Sequence, residues 1–257
     1  NASIDSVAGT IAVEVAHGTE LTGLVATFTL STGASAKVGD APQVSGSTAN
    51  DFTHPVTYVV TAEDGTTKAW TVTVTEAAAE AEFAGGNGTE GNPYLVATAN
   101  QLNNVRNHLD KHFKQIADID LGVVPYNTGE GWLPIGLSPG LFTGTFDGNG
   151  FTISNLYINR PGSDYVGLFG HINGAEIRNV KLENVNATGK MNVGSLVGKS
   201  EGQGQIKNSS ASGSVEGHSA VGGLVGYNEN GAITSCFAEC TVTGNNVGEL
   251  KSYGVGG

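Results

Sequence analysis

Cysteine is almost absent from this 257-residue chain: Cys236 and Cys240 are the only two. A disulfide between them is excluded, because four residues of extended strand carry the Cα atoms past the ~7 Å that the bond can span. Cys236 falls in an inward apolar slot of the pattern described below and reads as a buried thiol. Basic residues are scarce too. Twelve Lys and Arg stand against 24 Asp and Glu, a formal charge of −12. That removes the basic footprint of nucleic-acid binding and favours solubility. No apolar run approaches the ~18 residues of a membrane helix, so the chain is not expected to span a membrane. No secretory leader opens it, which leaves a cytosolic chain, a processed one or a recombinant fragment.

Glycine is abundant, 39 of 257 residues, without the three-residue period of collagen. Repetition is the stronger signal. Ile177-Arg178-Asn179-Val180-Lys181-Leu182 has copies at Ile153–Ile158, Ile206–Ala211 and Ile233–Ala238, with starts 24, 29 and 27 residues apart. A fainter copy runs from Ile116 to Leu121. Val166-Gly167-Leu168-Phe169-Gly170, Val193–Gly198 and Val221–Gly226 keep the same beat. A period of this size means stacked units that bury a core only together. Within each copy, side chains one and four can both face inward only if the chain turns between them. Asp118, Asn155, Asn179, Asn208 and Ser235 would then form one repeated corner in the left-handed conformation, which Asn and Asp tolerate best. The architecture expected is a parallel β-helix, right-handed by the usual crossover rule. Its core should taper through Leu121, Ile158, Leu182, Ala211 and Ala238, unless the face of Leu196 and Leu224 compensates.

Residues 1–76 alternate short β-like runs with turns and predict a small β-sandwich. Its strands include Thr10–Val15, Leu24–Leu30 and a hairpin, Val56–Thr61 and Trp70–Val74, turning at Asp64-Gly65. Trp70, Tyr58 and Phe28 should pack its core. Residues 77–82 form a low-complexity connector, and residues 83–257 the β-helix. One helix is expected after a Gly/Asn-rich loop (Gly85 to Pro93), with a Thr98–Gln101 capping box and an apolar stripe of Leu102, Val105 and Leu109. It would cover the open sheet edge of the first coil. Val247-Gly248-Glu249-Leu250 begins a further unit that the chain does not complete, so either the protein continues or this edge meets a partner.

The chemistry-bearing residues have plain structural readings. His108 and His112 have the spacing of a helical zinc pair, but Leu109 stands where a metallopeptidase needs its Glu. The acids after Gly150, from Asp164 to Glu249, are spread one or two per coil with no doublet on adjacent coils, against the paired carboxylates of a glycosidase. Asp118 and Asp120 are the best local pair. Asp147-Gly148-Asn149-Gly150 reads as a turn and not a calcium loop, and Gly85–Gly88 lacks the Lys-Ser/Thr of a phosphate cradle. Tyr165, Tyr227 and Phe237 are aromatics that could touch sugar rings. No residue is assigned a catalytic, metal or cofactor role, and no ligand-binding residue can be named.

Two resemblances add to this. Asp51 to Thr75 resembles the immunoglobulin-like and cadherin-like domains of bacterial surface proteins, those of Bacteroidetes above all. Gly91-Asn92-Pro93-Tyr94-Leu95, Gln101-Leu102, Ala117–Leu121, Trp132-Leu133-Pro134-Ile135-Gly136, Phe142–Gly150 and the Val-Gly-x-Leu-Val-Gly units resemble the β-helical GLUG-repeat proteins over about two-thirds of the chain. That family implies surface proteins, including adhesin-like molecules and the non-catalytic parts of some immunoglobulin A peptidases. The function expected is therefore a non-catalytic, adhesin-like surface protein that binds a host or dietary glycan or a surface protein through the β-helix wall. It would be extracellular and anchored through lipid or cell wall by a segment outside these residues. A structural stalk and a carbohydrate-active β-helix enzyme are the alternatives.

Overall fold

The computed structural model describes residues 2–244, and the chain divides into two compact units that meet in sequence between Glu80 and Ala81. Among the described residues the regular elements are strands, apart from one short helix and the 3-10 turn that continues it.

The N-terminal unit is built on one six-stranded sheet. Its strands run in the order Ala2–Asp5, Thr10–Val15, Thr67–Glu76, Val56–Thr61, Ser35–Val38 and Ala41–Pro42. Only the pairing of Thr10–Val15 with Thr67–Glu76 is parallel. The hairpin forms at Asp64-Gly65, where the Asp64 carboxylate accepts the Thr66 N–H and Gly65 takes a φ of 84°. Tyr58 and Trp70 face each other across it, and Phe28 meets Tyr58 edge-on at 6.0 Å. The expected strand Leu24–Leu30 is ladder-paired only at Leu24–Val25, against Ala49–Asn50. The alternation still holds: Leu24, Ala26, Phe28 and Leu30 all pack on the core of Ala36, Phe52, Val56 and Tyr58. Beyond Val25 the backbone loses its ladder partner, and Phe28 N–H turns to the Ser45 hydroxyl.

The second unit is a parallel β-helix of three walls. The first wall stacks Tyr94–Val96, His112–Gln115, Thr145–Asp147, Glu176–Arg178, Gln205–Lys207 and Ala232–Thr234. The second stacks Ile119–Asp120, Thr152–Ser154, Lys181–Thr188, Ser210–Gly217 and Phe237–Gly244. The third stacks Phe169–Asn173, Val197–Glu201 and Val225–Asn228. Inward residues of successive coils sit over one another, as Phe113, Phe146, Ile177, Ile206 and Ile233 do on the first wall.

The register corrects the sequence reading of the repeat. Ile153 pairs with Leu182, not with Ile177, and Ile158 pairs with Ala187. The copy Ile153–Ile158 therefore lies over Leu182-Glu183-Asn184-Val185-Asn186-Ala187. The reason is geometric: each coil has more than one corner, and two of them demand the same apolar–any–Asn–apolar pattern. Asn155 and Asn184 turn one corner in the left-handed conformation, with φ of 59° and 56°. Asn179, Asn208 and Ser235 turn another, with φ of 54°, 47° and 54°. One expected column of corner residues is in fact two. Asp118 belongs to neither. Because Ile119 pairs with Ile153, Asp118 stands level with Thr152, whose N–H its carboxylate accepts at 2.7 Å.

Side-chain amides bind each corner column together. Asn155 Nδ2 donates to Asp120 Oδ1 at 2.8 Å, and Asn184 Nδ2 to Asn155 Oδ1 at 3.5 Å. On the other corner Asn179 Nδ2 donates to Asp147 Oδ1 at 2.9 Å and Asn208 Nδ2 to Asn179 Oδ1 at 3.4 Å. Each ladder starts on an acid, so its first bond is charge-assisted.

The core does taper, through Ile119, Ile153, Leu182, Ala211 and Ala238 in the corrected register. Leu168, Leu196 and Leu224 stay fully buried under the third wall. At the opposite end the core is aromatic, with Phe83 stacked on Tyr94 at 4.3 Å and ring contacts onward through Phe113, Phe142 and Phe169. The helix is short: Ala99–Asn104, continued by a 3-10 turn, Val105–Asn107. Leu102 and Val105 reach the same core. Thr98 caps it by accepting the Gln101 N–H, while the Gln101 side chain reaches one residue further back than a capping box, to Ala97 N–H. The unit that begins at Val247 lies outside the described residues.

Candidate functional site

The third wall carries a connected group of chemistry-bearing side chains. Ile172 and Ser200 are buried, and strand alternation turns their neighbours His171 and Lys199 to the opposite face, with Tyr227 in register on the next coil. The next outward column holds Asn173, Glu201 and, just past the strand, Glu229, whose N–H bonds to Ser200 O. Tyr165 sits at the corner beside them. Its φ is 62°, a left-handed conformation unusual for so bulky a residue; the same corner is turned by Asn192 and Ala220 in the following coils.

The distances tie the group together. The Tyr165 and His171 rings stack with centroids 5.1 Å apart. His171 Nε2 lies 3.1 Å from Glu201 Oε2. Lys199 Nζ reaches Glu201 at 2.7 Å and Glu229 at 3.1 Å, and stands 5.9 Å from the centre of the Tyr227 ring. The Lys199 hydrogen bond holds the Glu201 carboxyl below the ordinary carboxylate range, against the opposing push of desolvation. The Glu201 bond in turn raises the Lys199 ammonium, so both are charged near neutral pH.

Sequence reasoning missed this group because it counted acids along the chain. The register brings a doublet, Glu201 and Glu229, onto adjacent coils around one lysine, which corrects the expectation that none exists. The signal was available: His171, Lys199 and Tyr227 follow at the 28-residue step that separates Val193 from Val221. As acid–base chemistry the doublet is poorly placed. An acid catalyst needs a carboxyl held protonated, whereas both of these carboxylates clasp an ammonium.

The other residues singled out by the sequence resolve into structural parts. His108 caps the 3-10 turn and His112 opens a strand, so the helical pair does not form; His108 Nε2 instead meets Glu82 at 2.8 Å. Asp118 and Asp120 are each occupied by neighbouring N–H donors. Asp147 turns its own loop by accepting the Asn149 N–H and also holds Arg178 at 3.0 Å. The Cys236 thiol accepts the Ser209 N–H and Cys240 donates to Gly223 O. Burial pushes both thiols up, so neither is a ready nucleophile. Tyr165 and Tyr227 share the third wall; Phe237 lies on the second. Among the described residues, no three His, Cys, Asp or Glu side chains converge as metal ligands. A separate open groove of about 480 Å³ follows the Asn179–Asn208 corner, with Asn149, Lys181 and Ser210 on its sides.

Residues 1–74 match a family profile described as SGBP, N-terminal, and residues 189–216 and 217–247 each match the GLUG motif. The chain is a GLUG-repeat β-helix protein. Its N-terminal region is of the SGBP type, that of surface glycan-binding proteins. The GLUG matches fall on the coils whose Gly-rich turns pack backbone on backbone. A Cβ on Gly198 would sit 2.6 Å from Gly170 O, which is why that position is glycine. A candidate Gly-rich membrane protein of Evansella cellulosilytica is 48% identical over 104 residues, covering 39% of this chain and 12% of the relative. Halomucin of Haloquadratum walsbyi is 39% identical over 127 residues, 46% of this chain and 1% of that protein. The chain thus spans a small part of both relatives. A solved structure of a candidate immunoglobulin A1 protease from Bacteroides ovatus superposes with a TM-score of 0.51 at 26% identity, over 62% of this chain and 51% of that one. The family matches and the relatives' names point to surface or structural proteins. No helix among the described residues is long and apolar enough to cross a membrane.

Proposed function

We propose that this chain is part of a non-catalytic, adhesin-like surface protein that binds a glycan or protein ligand through the wall of its β-helix. The observation that carries the reading is the SGBP match over residues 1–74 in the same chain as the GLUG repeats. The third wall supports it by gathering two tyrosines, a lysine and two glutamates on one face. In this reading residues 1–76 are an immunoglobulin-like platform, 77–82 a connector and 83–257 the binding solenoid. A structural stalk is the second reading, favoured by the asparagine ladders, which stiffen two corners whether or not a ligand binds.

The test is retention of the whole chain on immobilised glycans, mucins and matrix proteins, with the eluate assayed for released fragments. Micromolar retention on one class without fragments supports the binding reading. Fragments would show an enzyme, and no retention on any surface would leave the stalk as the account.

A further inference from the structure

We propose that the third wall is a carbohydrate subsite for sugars that carry no acidic group. The proposal rests on the binding reading above and names its ligand class. Three observations lead to it.

The first is the layering of charge. The Lys199 side chain is 17% exposed, beneath Glu201 at 25% and Glu229 at 46%. The accessible rim is therefore carboxylate, and the ammonium lies under it, already clasped by both. Ionised carboxylates only accept hydrogen bonds, so the rim reads donors such as sugar hydroxyls, amide N–H groups and amines. A uronate or sulfate would meet two negative charges over one positive, on a chain whose formal charge is −12.

The second is the pair of half-buried rings, Tyr165 and Tyr227, standing beside that rim. Such rings present an apolar face with a polar edge, and the apolar face of a pyranose is its complement. The third is what holds the rim in place. His171, 8% exposed, is packed against the Tyr165 ring at 5.1 Å and faces the Glu201 carboxylate at 3.1 Å, so ring and carboxylate are fixed side by side.

The experiment is calorimetric titration of the whole chain with mannan and laminarin oligosaccharides as uncharged probes, and oligogalacturonate and heparin fragments as acidic ones. An uncharged probe should bind. Tyr227→Ala should weaken it about tenfold, and Glu229→Gln several-fold. Phe237→Ala, on the second wall, should change nothing. Tyr227→Phe, which keeps the ring, should retain most of the affinity and so separates a lost contact from a lost fold. Tighter binding of an acidic probe, abolished by Lys199→Ala, would overturn the charge argument and leave the binding reading standing. Uncharged binding indifferent to Tyr227→Ala and Glu229→Gln would overturn the subsite and leave that reading standing too. No binding to any of the four probes overturns the subsite; only silence on the mucins and matrix proteins as well defeats the broader reading.

Discussion

Asn179 does two separable things, and substituting it tests both. Its backbone turns a corner at φ 54°, and its Nδ2 donates to the Asp147 carboxylate at 2.9 Å. Asn179→Gly keeps the corner but removes the bond. A hydrogen bond to a charged group is worth about 1.5–3 kcal/mol. Asp147 is 16% exposed and keeps Arg178 and the Asn149 N–H, so a loss of about 1–2 kcal/mol is expected. Asn179→Ala adds the left-handed penalty of a Cβ, about 1 kcal/mol more. Asn179→Val adds β-branching, for a total above about 3 kcal/mol. The assay is equilibrium urea unfolding in a Trp70→Phe background, so that fluorescence reports Trp132, which is fully buried in the β-helix core. Equal losses for Gly, Ala and Val would refute the left-handed corner. No loss for Gly would refute the ladder.

Further expectations follow from the same β-helix. Gly198→Ala should cost about 3 kcal/mol or more, because its Cβ would meet backbone oxygens of Gly170 and Asn192 at 2.6 and 2.8 Å. Gly162→Ala, whose Cβ would meet nothing within 4 Å and whose φ is not left-handed, should be neutral or slightly stabilising in the same unfolding assay. Acid should weaken the β-helix through Asp147. Burial pushes this carboxyl up, but hydrogen bonds from Asn179, Arg178 and the Asn149 N–H outweigh it and leave it below its ordinary value. A carboxyl lowered by folding stabilises above its unfolded pKa, about 3.9, and loses that contribution as pH falls through the folded value. The urea midpoint should therefore drop below about pH 4, and Asp147→Asn should flatten that limb while lowering the plateau at pH 7.

Much of this was legible in the sequence. The inward Ile and Leu, the Asn corners and the Gly-rich turns follow from alternation and from which residues accept a left-handed backbone. What could not be read was which copy lies over which. Asn155 and Asn179 answer the same local demand at different corners, so their sequences match although their stacks do not. The third wall was hidden for another reason: Val193 and Val221 already stand in the right step, but acids counted along the chain do not show that the same step sets Glu201 beside Glu229. Tyr165 was legible as an aromatic but not as a corner, because Tyr is a poor left-handed residue and nothing local announces it there. His108 and His112 were misplaced on one helix for a related reason: the apolar stripe continues through Leu109, but the helix gives way to a 3-10 turn at Val105.

The most direct measurement is hydrogen–deuterium exchange of the whole chain with and without a saturating glycan that it retains. The account requires slowed exchange in peptides covering 165–173, 197–201 and 225–229, the strands of the third wall. Protection confined to residues 1–74, with that wall unchanged, would contradict it and place binding in the N-terminal unit.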